Sequence, residues 1–235
     1  MENFHTNGYD LKLEIPPSVF EPNTTTHLLV KHMNDLQGKT VLDLGCGSGP
    51  IAIIAAKKGA KKVYAVDIME EACQAAAINA KNNGVGGCVE VLQGDLFEPI
   101  NGLKFDVIIN DVSGMAEEVS RISPWYPEAI PTGGEDGTAP TVRMLQHSPS
   151  YLEIGGRLLF PVLSLARSSV IISAAKEIYS NNLQQITSKI IPFCEELQRE
   201  IDLLIRLKDE GIISFTKIRS RYLWNLDIYQ ATRTF

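Results

Sequence analysis

Positive charge is in short supply. The 235 residues carry 22 Lys and Arg against 28 Asp and Glu, a formal net charge of −6. A protein that grips nucleic acid through many phosphates usually shows a basic excess, so nucleic acid is disfavoured as a partner. Cysteine is sparse: Cys46, Cys73, Cys88 and Cys194 form no C-x-x-C pair, and His5, His27, His32 and His147 do not cluster. The ligand spacings of a structural zinc site are missing, so no metal is expected. A disulfide framework is equally out of place in so large a chain, and reduced thiols point to the cytoplasm. No apolar run approaches the roughly 18 residues that span a bilayer, so no membrane is expected. Residues 1–14 are polar, unlike a secretory signal. Repeats and low-complexity tracts are lacking too. The remaining composition, 44% hydrophobic and 21% charged, fits a globule with a sizeable core.

Short apolar runs alternate with helical patterns. Residues 40–44, 62–66, 89–92, 105–109 and 156–163 read as buried strands, and residues 50–58, 70–82 and 140–152 as helices. Such alternation predicts an α/β fold, a mostly parallel sheet covered by helices on both faces. Residues 183–191 and 221–231 read as two more strands around a helix at 195–210. The last alternates cleanly (Tyr222, Trp224, Leu226, Ile228), as an antiparallel strand near an edge would. Ahead of the sheet, Tyr9, Leu11, Leu13 and Ile15 alternate as a strand or hairpin arm. A helix is expected at 26–36, capped by Thr24 or Thr25. These first 38 residues rarely fold alone and read as an extension.

The sharpest local signal is Val41-Leu42-Asp43-Leu44-Gly45-Cys46-Gly47-Ser48-Gly49, glycines between a strand and a helix. Without Cβ atoms the backbone turns sharply and lets a ligand lie against it. The next strand ends in Asp67, twenty-two residues after Gly45, where an acid suits two ribose hydroxyls. Spacing alone allows a dinucleotide or another adenosine cofactor.

Residues 41–49 resemble the first motif of class I S-adenosylmethionine-dependent methyltransferases, and Ala65-Val66-Asp67 their second. Gln93-Gly94-Asp95-Leu96-Phe97 resembles the third, and Phe105 to Asn110 the fourth. The resemblance implies a Rossmann-like fold, a seven-stranded mostly parallel sheet with an antiparallel C-terminal strand. It implies S-adenosylmethionine as cofactor and S-adenosylhomocysteine as product. Gly45, Gly47 and Gly49 would lie against the methionine part, with Asp43 helping to hold its amino group. Asp67 would bind the ribose hydroxyls, Ile68 would pack on the adenine, Asp95 would accept from its amino group, and the Leu96 backbone would touch the ring edge.

Val19 to Pro22 and Thr26 to Val30 resemble the pre-sheet segment of methyltransferases that modify glutamine amides of release factors, where a Pro-rich turn and a Thr lie over the cofactor. Residues 127–137, ending Gly133-Gly134-Glu135-Asp136-Gly137, resemble their loop after the fourth strand. The C-terminal part is more similar to ribosomal-protein methyltransferases. By this resemblance residues 1–38 cover the cofactor site, with Thr26 toward the cofactor and Phe20 toward the substrate, and residues 39–235 form the methyltransferase domain.

One departure matters. Amide- and base-methylating relatives carry Asn-Pro-Pro-Tyr in the fourth motif; this chain has Asn110-Asp111-Val112-Ser113. The rigid prolines and the stacking Tyr are gone. Asp111 offers a carboxylate that would deprotonate an amine or hydroxyl, or hold a cationic amine; the other reading is a cap on a helix at 114–119. Asn110 would orient the acceptor and also meet the cofactor. Ser113, Trp125 and Tyr126 would wall the acceptor pocket. Glu135 and Asp136 either face a cationic substrate or cap the next helix. Lys57, Lys58, Lys61 and Lys62 read as a solvated helix end. The expected activity is N-methylation of a protein side chain or a small amine-bearing metabolite. The alternatives are a small-molecule O-methyltransferase and a cofactor-binding regulatory module without catalysis. Oligomeric state is left open.

Overall fold

The structure, a computed structural model, describes residues 2–127 and 130–234. Among the described residues ten strands and eight α-helices follow one another. A hairpin comes first, β1 (Glu2–Thr6) and β2 (Tyr9–Leu13), with Asn7-Gly8 as its two-residue turn. Both turn residues have positive φ, 47° and 80°, the backbone such a tight hairpin demands. Then come α1 (Thr24–His32), β3 (Thr40–Leu44), α2 (Pro50–Lys57), β4 (Lys62–Asp67), α3 (Glu70–Asn82), β5 (Val89–Gln93) and β6 (Phe105–Asn110). Next are α4 (Glu117–Ile122), α5 (Ala139–Tyr151), β7 (Leu152–Leu163), α6 (Ser168–Tyr179) and β8 (Leu183–Pro192). The chain finishes with α7 (Glu195–Arg199), α8 (Ile201–Asp209), β9 (Thr216–Ile218) and β10 (Arg221–Thr232).

The main sheet runs β5-β4-β3-β6-β7-β10-β8, with the short β9 paired to the start of β10. Strands β3 to β7 are mutually parallel, and β10 is antiparallel to both β7 and β8. The seven predicted strands are these seven. The last strand lies one position in from the edge, and the edge itself is β8. The predicted helix at 195–210 divides at Glu200 into α7 and α8.

Core residues fill both faces of the sheet. On one face Val41, Val63, Ala65, Val107 and Ile109 pack under α2; on the other Leu42, Leu44, Val66 and Ile108 pack under α5 and α6. That two-sided burial explains why the strands read as unbroken apolar runs. Helix α3 buries Ala72, Ala75, Ala76 and Ala80, side chains small enough for close approach to the sheet. The hairpin and α1 share the first of these cores through Leu11, Leu13, Leu29, Val30 and Met33. Burying each such side chain contributes about 1.5–3 kcal/mol. Two asparagines of α3 lock the segment down. Asn79 accepts from the Glu14 N–H at 2.7 Å and donates to the Glu14 and Ser48 carbonyls at 2.9 Å. Asn83 donates to the Lys12 carbonyl at 2.9 Å.

Two local expectations change. Helix α1 is capped by Asn23, not by a threonine: its side chain accepts from the Thr25 N–H at 2.8 Å, and Thr26 accepts from the Asn23 N–H at 3.3 Å. Lys58 is not a solvated helix end. Its ammonium donates to the carbonyls of Val30 and Met33, at 3.1 and 2.9 Å. It thus satisfies the orphan carbonyls at the end of α1 and bolts α1 to α2.

Candidate functional site

Strand order reverses at β3, which leads to β4 on one side and β6 on the other. In open α/β sheets ligands bind at such a switch point, beyond the carboxyl ends of the strands. A cavity of about 350 Å³ lies there. It is walled by the glycine loop, the ends of β4 and β6, the loop after β5, residues 18–26, the loops around Trp125 and residues 130–132, and parts of β7, β8 and β10.

The glycine loop is held by its own backbone. Gly45 and Cys46 donate to the Val66 carbonyl. Gly45 has φ 73°, and a Cβ there would stand 2.9 Å from the Val112 nitrogen. Gly47 has φ 52° and open space around its missing Cβ, on the cavity side. Gly49 serves packing: its Cβ would meet Ala76 of α3 at 3.1 Å. Of the three, Gly45 and Gly47 line the cavity and Gly49 does not.

Three carboxylates converge on this loop. Asp67, at the end of β4, accepts from the Gly47 N–H at 2.9 Å and the Met69 N–H at 3.0 Å. Burial raises its pKa against those stabilising N–H groups. Asp43 is fully buried and accepts from the Ala52 N–H at 3.0 Å, leaving its other oxygen without a partner. Burial first, and then the charge of Asp111, push its pKa well above the carboxylate range. It stands behind the loop rather than on the cavity wall. Asp111, just past β6, does line the cavity. It accepts from the Thr26 hydroxyl at 3.2 Å, and burial pushes its pKa up to about 7. The capping reading of Asp111 falls away, because α4 begins at Glu117 behind Ala116. Asn110 is fully buried, its amide has no partner, and it does not reach the cavity wall.

At the far end Ile68 stands half exposed on the cavity wall, opposite Gly94, Asp95 and Leu96. Leu96 holds φ 53°, a left-handed backbone that turns the loop inward. Asp95 is engaged by Arg143 of α5, at 2.6 and 2.8 Å to its two oxygens. Sequence reading missed Arg143; only its helical position beyond the loop after β6 hinted at it.

An aromatic wall closes the other end. Phe20 and Tyr126 meet edge to face at 4.6 Å, and Trp125 lies 6.2 Å from Trp224 of β10. All four line the cavity with Ser113, whose hydroxyl donates to the Pro131 carbonyl at 2.8 Å. Burial raises the Tyr126 pKa, while the neighbouring hydroxyls of Ser113 and Ser120 oppose the shift. Trp224, Ile191 and Pro161 were not foreseen, since they come from strands far along the chain. Asp136 neither lines the cavity nor caps α5, whose N-cap is Thr138: it accepts from the Thr138 N–H and hydroxyl and pairs with Arg167. Gly133 and Gly137 pack directly against Met115 and Ala116. Glu128 and Ala129 of the predicted loop lie outside the described residues.

The family profile described as "Methyltransferase small domain" matches residues 13–111. A Methanocaldococcus jannaschii protein named "Putative protein N5-glutamine methyltransferase" is 40% identical over 147 residues, 62% of this chain and 73% of that relative. The chain belongs to the small-domain methyltransferase family. The methyltransferase is also 37% identical over 138 residues to the ribosomal protein L11 methyltransferase of Pelotomaculum thermopropionicum, covering 57% of this chain and 44% of that one. It thus spans about half the length of the L11 enzymes it matches. Among solved structures, the ribosomal protein L11 methylase of Lactobacillus delbrueckii aligns with TM-score 0.55 at 22% identity, over 93% of this chain and 84% of that one. The Thermus thermophilus 16S rRNA N2 G1207 methyltransferase, solved with AdoMet and guanosine, aligns with TM-score 0.63 at 14% identity, over 99% and 50%. These last two likenesses establish the α/β methyltransferase fold.

The family implies S-adenosylmethionine, and the residues present fit it. Gly47 leaves room for close approach, Asp67 presents a carboxylate on the cavity wall, and Ile68 presents an apolar face. Asp67 and Asp111 on the cavity wall suit a ligand carrying a sulfonium and an ammonium. Among the described residues no helix is long and apolar enough to cross a membrane, and no group of His, Cys, Asp and Glu is placed to hold a metal.

Proposed function

We propose that this methyltransferase binds S-adenosylmethionine between the glycine loop and residues 18–26, and methylates an amine nitrogen on a protein side chain or an amino-acid-like molecule. The observation that carries the reading is Asp111, a carboxylate on the cavity wall with its pKa pushed to about 7. S-adenosylmethionine supplies an already electrophilic methyl group. What the protein must add is alignment, exclusion of water and a place for the acceptor's proton. A base titrating near neutral pH takes a proton from an ammonium or hydroxyl most effectively.

Asp67 would hold the ribose, Gly45 and Gly47 the methionine part, and Ile68, Asp95 and Leu96 the adenine. Asp43 would keep the loop in shape through Ala52 and help the amino group through the loop backbone; Gly49 would act through its contact with α3. Thr26 would orient Asp111, and Asn110 would brace the end of β6 behind it. Phe20, Ser113, Trp125 and Tyr126 would receive the acceptor. Residues 1–38 would then serve as the roof of the cofactor site, with residues 39–235 as the catalytic body. The missing Pro-Pro-Tyr argues against a planar amide, which needs acceptors pulling on its N–H bonds. The substrates in the matched relatives' names, protein glutamine and ribosomal protein L11, support a protein acceptor.

Calorimetry with S-adenosylhomocysteine, followed by incubation with methyl-labelled cofactor and cell extract, tests this. Binding and a labelled, acid-stable product are expected, with a rate that rises through about pH 7 and levels off. In Asp111→Asn the rate should fall about 10²- to 10⁴-fold and lose that rise. Binding without any labelled product would favour the regulatory reading instead, and no binding would overturn both.

A further inference from the structure

The sequence from Gly211 to Leu226 contains no Asp or Glu, yet holds Lys217, Arg219 and Arg221. In a chain with net charge −6 that stretch stands apart. The preceding helices α7 and α8 mix their charges and pair them: Arg199 with Glu195, and Arg206 with Glu118 and Glu210. Of the nine arginines, six stand in ion pairs and Arg233 donates to the Leu152 carbonyl. Arg219 and Arg221 make no ion pair with any described residue, and both are exposed. Lys217 is exposed as well, its ammonium 4.7 Å from the Tyr222 ring.

These cations share one hairpin, β9 turning into β10 through Arg219-Ser220. The first turn residue has φ 56° and is an arginine. Hairpins normally give that place to Gly, Asn or Asp, because the left-handed backbone crowds a Cβ. A sequence that accepts this local conflict commonly does so where the side chain serves a function. The hairpin's place is also telling. Pairing of β10 with β7 stops at Leu226 opposite Leu163, so β9 and the start of β10 overhang the carboxyl end of the sheet. Trp224 shares a face of β10 with Tyr222, the strand partner of Lys217, and lines the acceptor end of the cavity with its own partner Ile191; Arg221 presents the opposite face of the same hairpin.

From this juxtaposition we infer that the β9–β10 hairpin is a docking site for an acidic segment of the acceptor protein, seating it beside the cavity. The inference rests on the methyltransferase reading of that cavity. A protein segment fits better than nucleic acid. Duplex-gripping proteins neutralise about 6–10 phosphates, whereas this hairpin offers three cations on an otherwise acidic body that repels an extended polyanion.

The test uses the full chain at low salt, with two fluorescein-labelled probes read by anisotropy: a twelve-residue peptide of alternating Glu and Gly, and a twelve-nucleotide single-stranded RNA. The peptide should bind and the RNA should bind more weakly. Raising salt to about 0.3 M, or the variant K217E/R219E/R221E, should each weaken the peptide about tenfold or more. S-adenosylhomocysteine affinity should stay unchanged in that variant, which shows the fold and cofactor site intact. Arg219→Gly should bind the peptide more weakly yet melt about 2–4 °C higher, because it removes the strained side chain. Equal peptide binding by wild type and triple variant, or tighter binding of the RNA, overturns the inference. Loss of S-adenosylhomocysteine binding by the wild-type chain would instead overturn the reading of the cavity.

Discussion

The two ends of the cavity are built by different means. The end formed by β3, β4 and β5 is made largely of backbone: positive-φ glycines, N–H groups donated to Asp67, and a left-handed Leu96. The end formed by β6, β7, β8 and β10 is made of side chains: Asp111, Phe20, Trp125, Tyr126 and Trp224. Backbone geometry dictates residue types at fixed spacings along a short stretch. A side-chain wall can be assembled from any elements that fold to the same place. The first end is thus set by backbone geometry within a short stretch, and the second by which side chains distant elements bring together.

The sharpest way to break this comparison is Asp67→Ala. It removes the acid and strands the N–H groups of Gly47 and Met69. S-adenosylhomocysteine affinity by calorimetry should fall about 100-fold, by loss of charged hydrogen bonds. A loss under about threefold would show that the backbone alone holds the ligand.

Next comes Asp111, read through stability. Burial keeps it protonated up to about pH 7 in the fold, against an ordinary value of 3.8. Between those values the folded chain holds a proton the unfolded chain has released. Stability contributed by the protonated acid is therefore present below about pH 4 and lost as pH rises through about 7. Asp111→Asn has no charge to bury. It should melt about 2–4 °C above wild type at pH 8 and within about 1 °C of it at pH 4, by calorimetric scans. The reverse order of melting temperatures would place the carboxylate in a stabilising role.

Phe20→Ala tests whether the aromatic wall is separate from the cofactor end. It removes the edge-to-face contact with Tyr126, worth about 0.5–1.5 kcal/mol. The acceptor KM should rise about threefold to tenfold while cofactor KM is unmoved; movement of both would place Phe20 over the cofactor. The smallest effect belongs to Arg143→Met. Its ion pair with Asp95 is partly exposed, so cofactor affinity should change no more than about threefold.

The same contrast explains what could be read from sequence. The glycine loop, Asp67, Ile68, Asp95 and Leu96 fall within one continuous stretch whose spacing is set by strand–turn–helix geometry, and the structure gathers them on one cavity. Asp43, Gly49 and Asn110 sit in the same motifs, but their side-chain positions face the packing behind the loop, which spacing does not reveal. Strands β3, β4, β6 and the second half of β7 were legible because two-sided burial makes each an apolar run, and β10 because it alternates. Less legible were the parts fixed by long-range contact: Asn79 stapling the N-terminal segment, Lys58 turned inward to α1, Arg143 reaching Asp95, and Trp224 arriving from the last strand. The Asn7-Gly8 hairpin signal was local, yet strand β1 is too short and mixed to stand out beside it.

Gly45 carries one more consequence. Its missing Cβ leaves its backbone against the chain at Asp111 and Val112, with 2.9–3.0 Å as the separation a side chain would impose. No side chain stands between the two ends of the cavity at that point, so they meet backbone to backbone. Any side chain at position 45 would have to push the glycine loop and the end of β6 apart. The spacing between the two ends of the cavity is thus gauged by one absent carbon atom.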